Sequence, residues 1–167
     1  MRLIDEISNR GKEVITINTS EVTRLFQTYR DTVYRLALSF TRSAQEAEDV
    51  CQTVFLKLLE QKEIQPGKEK SWLMQVTANQ CRSLLRSSWW KKTAVLEETM
   101  TVQMEKDREI LQAVMALKPK YRVVVYLYYY EGYSAAEIAG LLHISQSAVT
   151  TRLARARQDL RETLKEE

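Results

Sequence analysis

Apolar residues recur along this chain at helical spacing, and the breaks between runs divide it into successive elements. From about Ser20, the positions Val22, Leu25, Phe26, Tyr29, Val33, Leu36, Ala37 and Phe40 make one apolar face, which Thr41-Arg42-Ser43 interrupts. Ser43 and Glu46 have the spacing of a capping box and open a second helix. Its Ala47, Val50, Cys51, Val54, Phe55, Leu58 and Leu59 are expected to face inward until it ends near Gln61. Pro66-Gly67 marks a turn, and a third helix from about Ser71 carries Trp72, Leu73, Val76, Leu84 and Leu85. This three-helix unit, residues 20–90, is followed by residues 91–106, where neither a clean period nor a strong turn signal is found, as suits a flexible linker. A second helical unit spans 107–167: a helix to Leu117, another with Pro119 at its first position running to about Tyr130, then two more. Residues 1–19 read as a loosely docked arm. Val14-Ile-Thr-Ile-Asn alternates like a short strand, yet no partner strand is evident.

The last two helices carry the most specific pattern. Ser134 and Glu137 form a capping box ahead of Ile138, Ala139, Leu141 and Leu142; Ser145 then caps a helix whose Val149, Leu153, Ala156, Leu160 and Leu164 fall on one face. Two helices joined so tightly form a helix-turn-helix, a motif that mostly reads DNA. The opposite face of the second helix shows Ser147, Thr151, Arg155 and Gln158, flanked by Gln146, Thr150, Arg152 and Arg157: hydroxyls, amides and guanidiniums suited to base edges and phosphates. An amphipathic hairpin with a merely solvated basic face is the other reading of this run. The turn position that commonly holds Gly is occupied by His143.

Composition narrows the fold class to all-α: the 167 residues are 44% hydrophobic and include only 4 Gly and 2 Pro. The net charge of +3 is modest but uneven. Residues 66–92 set Lys68, Lys70, Arg82, Arg86, Lys91 and Lys92 against Glu69 alone, and residues 144–161 set Arg152, Arg155, Arg157 and Arg161 against Asp159. Cys51 and Cys81 lie on different helices without paired spacing, and the chain has a single His, so no metal site and no cofactor is expected. Buried thiols of a reduced, cytoplasmic protein are the expectation instead. No apolar run approaches the roughly 18 residues of a membrane span, and residues 1–7 lack the apolar core of a signal peptide.

With basic segments ending both helical units, residues 22–163 resemble a bacterial RNA polymerase sigma factor of the sigma-70 family, extracytoplasmic-function group. The C-terminal half, from Leu117-Lys-Pro-Lys-Tyr-Arg-Val-Val-Val-Tyr through Arg152-Leu-Ala-Arg-Ala-Arg157, looks like the family's region 4. The N-terminal half looks like region 2, through Tyr34-Arg-Leu-Ala, Ala47-Glu-Asp-Val-Cys-Gln-Thr-Val-Phe-Leu-Lys-Leu and Trp72-Leu-Met-Gln-Val-Thr-Ala-Asn.

The resemblance implies partners: core RNA polymerase, promoter DNA and an anti-sigma factor. It places Glu48, Asp49, Gln52 and Phe55 at core-binding positions, Gln75, Asn79, Arg82, Ser83 and Arg86 at the single-stranded −10 element, and Gln146, Ser147, Thr150, Thr151, Arg152 and Arg155 on the duplex −35 element. Residue chemistry agrees in part, since base capture needs an amide or hydroxyl together with cations for phosphates. The chain departs from the family at Ser83, where many relatives have Asp; at Ser87-Ser88-Trp89-Trp90, which replaces a basic run; and at Thr150, where Lys is frequent. Trp72 is read as core, whereas Trp89 and Trp90 could pack or stack on bases. Tyr129, Tyr130 and Tyr133 either complete a small core or leave apolar area for a partner. An enzyme is disfavoured by the lack of a phosphate loop or clustered metal ligands. A free-standing dimeric repressor or activator is the alternative, but it would have no use for a region 2-like half.

Overall fold

Asn18 starts the first long helix: its side chain accepts a 2.9 Å hydrogen bond from the Glu21 amide. The computed structural model describes residues 14–86 and 105–165; most of the N-terminal arm, Trp89, Trp90 and nearly all of the expected linker lie outside the described residues. In chain order the elements are β1 (Ile15–Thr16), α1 (Thr19–Thr41), α2 (Ala44–Glu60), β2 (Glu63–Ile64), α3 (Glu69–Arg86), α4 (Glu105–Ala116), α5 (Pro119–Val125), a π-helical turn (Tyr126–Tyr130), α6 (Ala135–Leu142) and α7 (Gln146–Thr163).

The end of the arm does have a partner strand. β1 pairs antiparallel with β2, Ile15 opposite Ile64 and Thr16 opposite Glu63, and the Ile17 amide donates to Lys62 O. Burial of Ile64 anchors this two-residue clip to the core. Helix α1 ends where Arg42 turns left-handed at φ 57°, and Ser43 begins α2 by accepting from the Glu46 amide. Helices α1–α3 enclose Leu25, Val33, Leu36, Val50, Val54, Leu58, Leu73, Met74 and Cys81, all buried. Each large aliphatic among them contributes about 1.5–3 kcal/mol through burial. Burial pushes the Cys51 thiol up to about 12 and the Cys81 thiol higher still, so neither is a thiolate at neutral pH. Trp72 packs against this core, as its place in the apolar period predicts.

Two expected core positions differ. Phe26 and Leu59 lie partly outside, Leu59 being 52% exposed, because each stands at the edge of its helix's apolar stripe.

In the second unit α4 begins at Glu105, and the helix begun by Pro119 widens at Tyr126 into the π turn. The turn buries Leu127 and leaves Tyr128, Tyr129 and Tyr130 exposed, while Tyr133 is half-buried against the core. Tyr126 and Tyr130 stack with centroids 5.3 Å apart.

The two units are not separate bodies. The apolar cluster of α1–α3 continues into Val123, Val124, Leu127, Ile138, Leu141, Leu142, Val149 and Leu153, while Leu117, Tyr121, Val125 and Ala156 form a smaller cluster. Arg122 sits at the junction, 1% exposed. Its guanidinium donates to Ser39 O and Phe40 O near the end of α1, and to Met115 O and Leu117 O near the end of α4, at 2.5–3.0 Å. Two helix C-termini, each negative at its end, thus converge on one cation. Burial, and secondarily the nearby Arg42 charge, lower its pKa to about 9, so it remains protonated at neutral pH. Farther along the junction Lys70 Nζ meets Glu131 Oε2 at 3.0 Å.

Candidate nucleic-acid interface

The helix-turn-helix forms as its sequence predicts. Ser134 Oγ accepts from the Glu137 amide while Glu137 Oε2 accepts from the Ser134 amide at 2.7 Å, and these bonds hold the Glu137 carboxyl below its ordinary pKa. His143 takes the left-handed turn position at φ 54°. Ser145 Oγ then caps α7 by accepting from the Ala148 amide.

Val149, Leu153 and Ala156 bury one face of α7, which turns Gln146, Ser147, Thr150, Thr151, Arg155 and Gln158 to the outside. Thr150 Oγ1 donates its proton to Gln146 O at 2.8 Å, so toward a ligand it offers an acceptor and a methyl group. Arg152 is half-buried. Arg157 is drawn away from the exposed row and donates to Tyr129 Oη at 3.0 Å.

Three residues not singled out by the sequence complete this surface. Lys118, Lys120 and Tyr121, around the start of α5, border the same concave strip as Ser147, Thr151 and Arg155. Lys120 Nζ lies 5.1 Å from the Tyr121 ring centroid. A hydrogen bond with Arg155 lowers the Tyr121 pKa against the opposing effect of burial, with Lys120 adding to the lowering. The available signal was two lysines flanking a proline at a helix start, close in space to α7 though far in sequence.

On α3 the five predicted residues form a nearly continuous row, but the structure divides them. Asn79, Ser83 and Arg86 are exposed; Gln75 and Arg82 are half-buried against α6. Gln75 Nε2 donates to Leu141 O at 3.1 Å and lies 3.1 Å from His143 Nε2. Arg82 donates to Leu142 O and to Asn79 Oδ1. Burial, followed by the Arg86 charge, lowers the Arg82 pKa. Arg82, Arg152, Lys118 and Lys120 rim one cleft whose floor includes Phe40, Leu85 and Leu142. The two expected DNA-contacting rows therefore approach each other across the fold.

The predicted polymerase face is also rearranged. Asp49 and Gln52 are exposed, and Glu48 is partly so while pairing with Arg30 at 3.0 Å. Phe55 is corrected to a core residue: it is 6% exposed and meets the Phe26 ring edge-on at 4.9 Å. The exposed stripe of α2 instead runs Asp49, Gln52, Leu56 and Leu59, with Leu56 61% exposed. A stripe at spacings of three, four and three stays on one helical face.

Among the described residues no group of His, Cys, Asp and Glu could hold a metal ion, and no helix is long and apolar enough to cross a membrane.

Comparison with known proteins gives matches to both halves. The Sigma-70 region 2 model matches residues 25–91, and the Sigma-70, region 4 model matches residues 107–160. The chain is 32% identical over 158 residues to the probable RNA polymerase sigma factor RfaY of Xanthomonas campestris, covering 84% of this chain but 40% of that protein. It is 26% identical over 183 residues to the ECF RNA polymerase sigma factor SigW of Bacillus subtilis, covering 96% of this chain and 97% of that one. Its fold is similar to that of Bartonella quintana RpoE, solved with the anti-sigma factor NepR, at a TM-score of 0.64 and 19% identity over 86% of this chain and 96% of that chain. CnrH, solved with the cytosolic domain of CnrY, gives a TM-score of 0.61 at 22% identity over 90% of this chain and 91% of that one.

Proposed function

The chain belongs to the sigma-70 family of RNA polymerase sigma factors, in its extracytoplasmic-function group, and on that premise we propose that it directs core RNA polymerase to specific promoters. Helix α7 anchors at the −35 element: Gln146, Ser147, Thr150, Thr151, Arg152 and Arg155 face its bases and phosphates, with Lys118 and Lys120 adding phosphate contacts. Helix α3 acts at the −10 element, where Gln75 and Asn79 supply amides for an unstacked base and Arg82 and Arg86 supply charge for the backbone, with Ser83 alongside. Core polymerase docks on the α2 stripe, Glu48, Asp49 and Gln52 providing polar contacts while Leu56 and Leu59 take the apolar part first assigned to Phe55.

The observation that carries this reading is the exposed Ser147, Thr151 and Arg155 row beside Lys118 and Lys120, in a chain that also bears the amide and guanidinium row of α3. An anti-sigma factor is a further expected partner, supported by the two fold neighbours solved with such proteins. The place of action is the cytoplasm, where polymerase works, and the protein itself catalyses no reaction and takes no cofactor.

Reconstitution tests the reading: the full chain is mixed with core polymerase, and run-off transcription is measured from DNA upstream of its own gene. Arg155→Ala is expected to weaken −35 duplex binding. Asn79→Ala is expected to leave duplex binding intact and to impair opening, read by permanganate reactivity of thymines near −10. Equal loss of both steps in both variants contradicts the assignment. Absence of core binding together with tight dimeric binding to duplex DNA replaces it with the repressor.

A further inference from the structure

Gln75 and Arg82 are committed within the fold to groups they would have to release in order to hold DNA. Both donate to main-chain carbonyls at the end of α6, Leu141 O and Leu142 O, and Gln75 also meets His143 in the turn of the helix-turn-helix. Arg82 further engages Asn79 Oδ1, so three of the five residues assigned to the −10 element are tied into one network. The helix-turn-helix is held there by Arg122 across the α1 terminus and by the Lys70–Glu131 pair, whose carboxylate also accepts from Tyr126 Oη at 2.6 Å.

Distance makes this arrangement incompatible with the promoter-bound one. Elements centred near −35 and −10 lie some 25 base pairs apart, roughly 85 Å at 3.4 Å per pair. Here the two reading units are in hydrogen-bond contact. Residues 87–104 provide, at full extension, roughly 60 Å of chain between the units, enough with the helices themselves to bridge the promoter. The exposed Asp49, Gln52, Leu56 and Leu59 stripe of α2 remains accessible in the contracted form.

Resting on the promoter reading above, we propose that this chain latches itself: the turn between α6 and α7 seats on α3 and occupies Gln75, Asn79 and Arg82, so the free protein is closed to the −10 strand until the halves separate. Core polymerase engages the α2 stripe first and opens the latch second. Strand binding and latch closure exclude each other, so each must oppose the other by the same factor.

The test uses the full chain with spin labels on cysteines introduced at exposed Gln45 and Ala136, the native Cys51 and Cys81 being buried. Electron-spin distances are measured free, with core polymerase, and with a single-stranded DNA carrying the −10 non-template sequence of the promoter found by run-off. One short distance is expected in the free protein, and a much longer one with core or with saturating strand. Glu131→Lys, which places a cation against Lys70, is expected to lengthen the distance without DNA and to tighten strand binding about tenfold, by raising the fraction of competent chains. Adding Lys70→Glu to it is expected to restore both values. Wild-type protein that binds the strand while its distance stays short overturns the latch, as does a Glu131→Lys chain that opens without gaining affinity. If core-bound protein neither binds the strand nor transcribes, the promoter reading itself has failed, an outcome distinct from these two.

Discussion

Replacing Arg122 with methionine is expected to destabilise the fold by about 3–5 kcal/mol, the range for removing one side of a buried charged network. The guanidinium makes four hydrogen bonds, each of a strength near 1.5–3 kcal/mol for a charged donor, giving a gross loss of about 6–12 kcal/mol. Relief from burying a cation returns several kcal/mol of that sum. A well-packed apolar replacement can be neutral when both partners of an ion pair are removed. Here the acceptors are main-chain carbonyls of Ser39, Phe40, Met115 and Leu117, which no substitution removes and which methionine leaves without their donor. Urea unfolding followed by far-UV circular dichroism measures the change, with Arg122→Lys as companion: it keeps the charge but lacks the planar fork that reaches four carbonyls, and should recover only part of the loss. An Arg122→Met protein within about 1 kcal/mol of wild type, at an unchanged urea slope, would refute the reasoning, because desolvation would then cancel everything the bonds contribute.

Three further outcomes follow from the same geometry. Arg42→Gly should raise stability by about 1 kcal/mol in the same urea assay, since it relieves a left-handed side-chain residue and removes a charge that opposes Arg122. Glu137→Gln should be less stable than wild type at neutral pH, with the gap closing in acid: the folded carboxyl is held below the ordinary value of 4.5, so its stabilisation is present above that value and lost as pH falls through the depressed one. Thermal unfolding of both proteins from pH 3 to 7 checks this, and a gap that persists at the acid end contradicts it. Lys120→Ala should weaken −35 binding on all sequences alike and reduce the slope of log K against log salt by about 0.9; a change confined to one base position would argue for base readout instead.

The sequence made the local elements legible because their signals are local. Ser43, Ser134, Glu137 and Ser145 each act within three residues of themselves, and His143 marks its turn by standing where glycine is usual. What joins the two halves left no such mark. Arg122, Arg82 and Gln75 donate to main-chain carbonyls, which every residue possesses, so no complementary side chain announces the partner. The β1–β2 clip was missed for a related reason: a two-residue ladder to Glu63–Ile64 has too little alternation on its far side to be recognised. Phe55 was placed on the polymerase face by resemblance, although its own apolar spacing put it inside, and packing against Phe26 follows the spacing. On α7 the exposed residues were readable from the period, but the diversion of Arg157 to Tyr129 depends on a widened turn that the tyrosine run did not disclose.

That widened turn also fixes an angular phase. In an α-helix each residue advances the chain by about 100°, and the π turn at Tyr126–Tyr130 accommodates an extra residue while still returning Tyr133 N to Leu127 O. A chain one tyrosine shorter would close this turn as ordinary α-helix and rotate everything after Glu131 by about 100° relative to α5. Leu141 and Leu142 would swing away from Gln75 and Arg82 with no contact residue altered. The mutual orientation of the two halves is thus encoded in a residue count, and length changes at 126–130 would reset it more sharply than substitutions there.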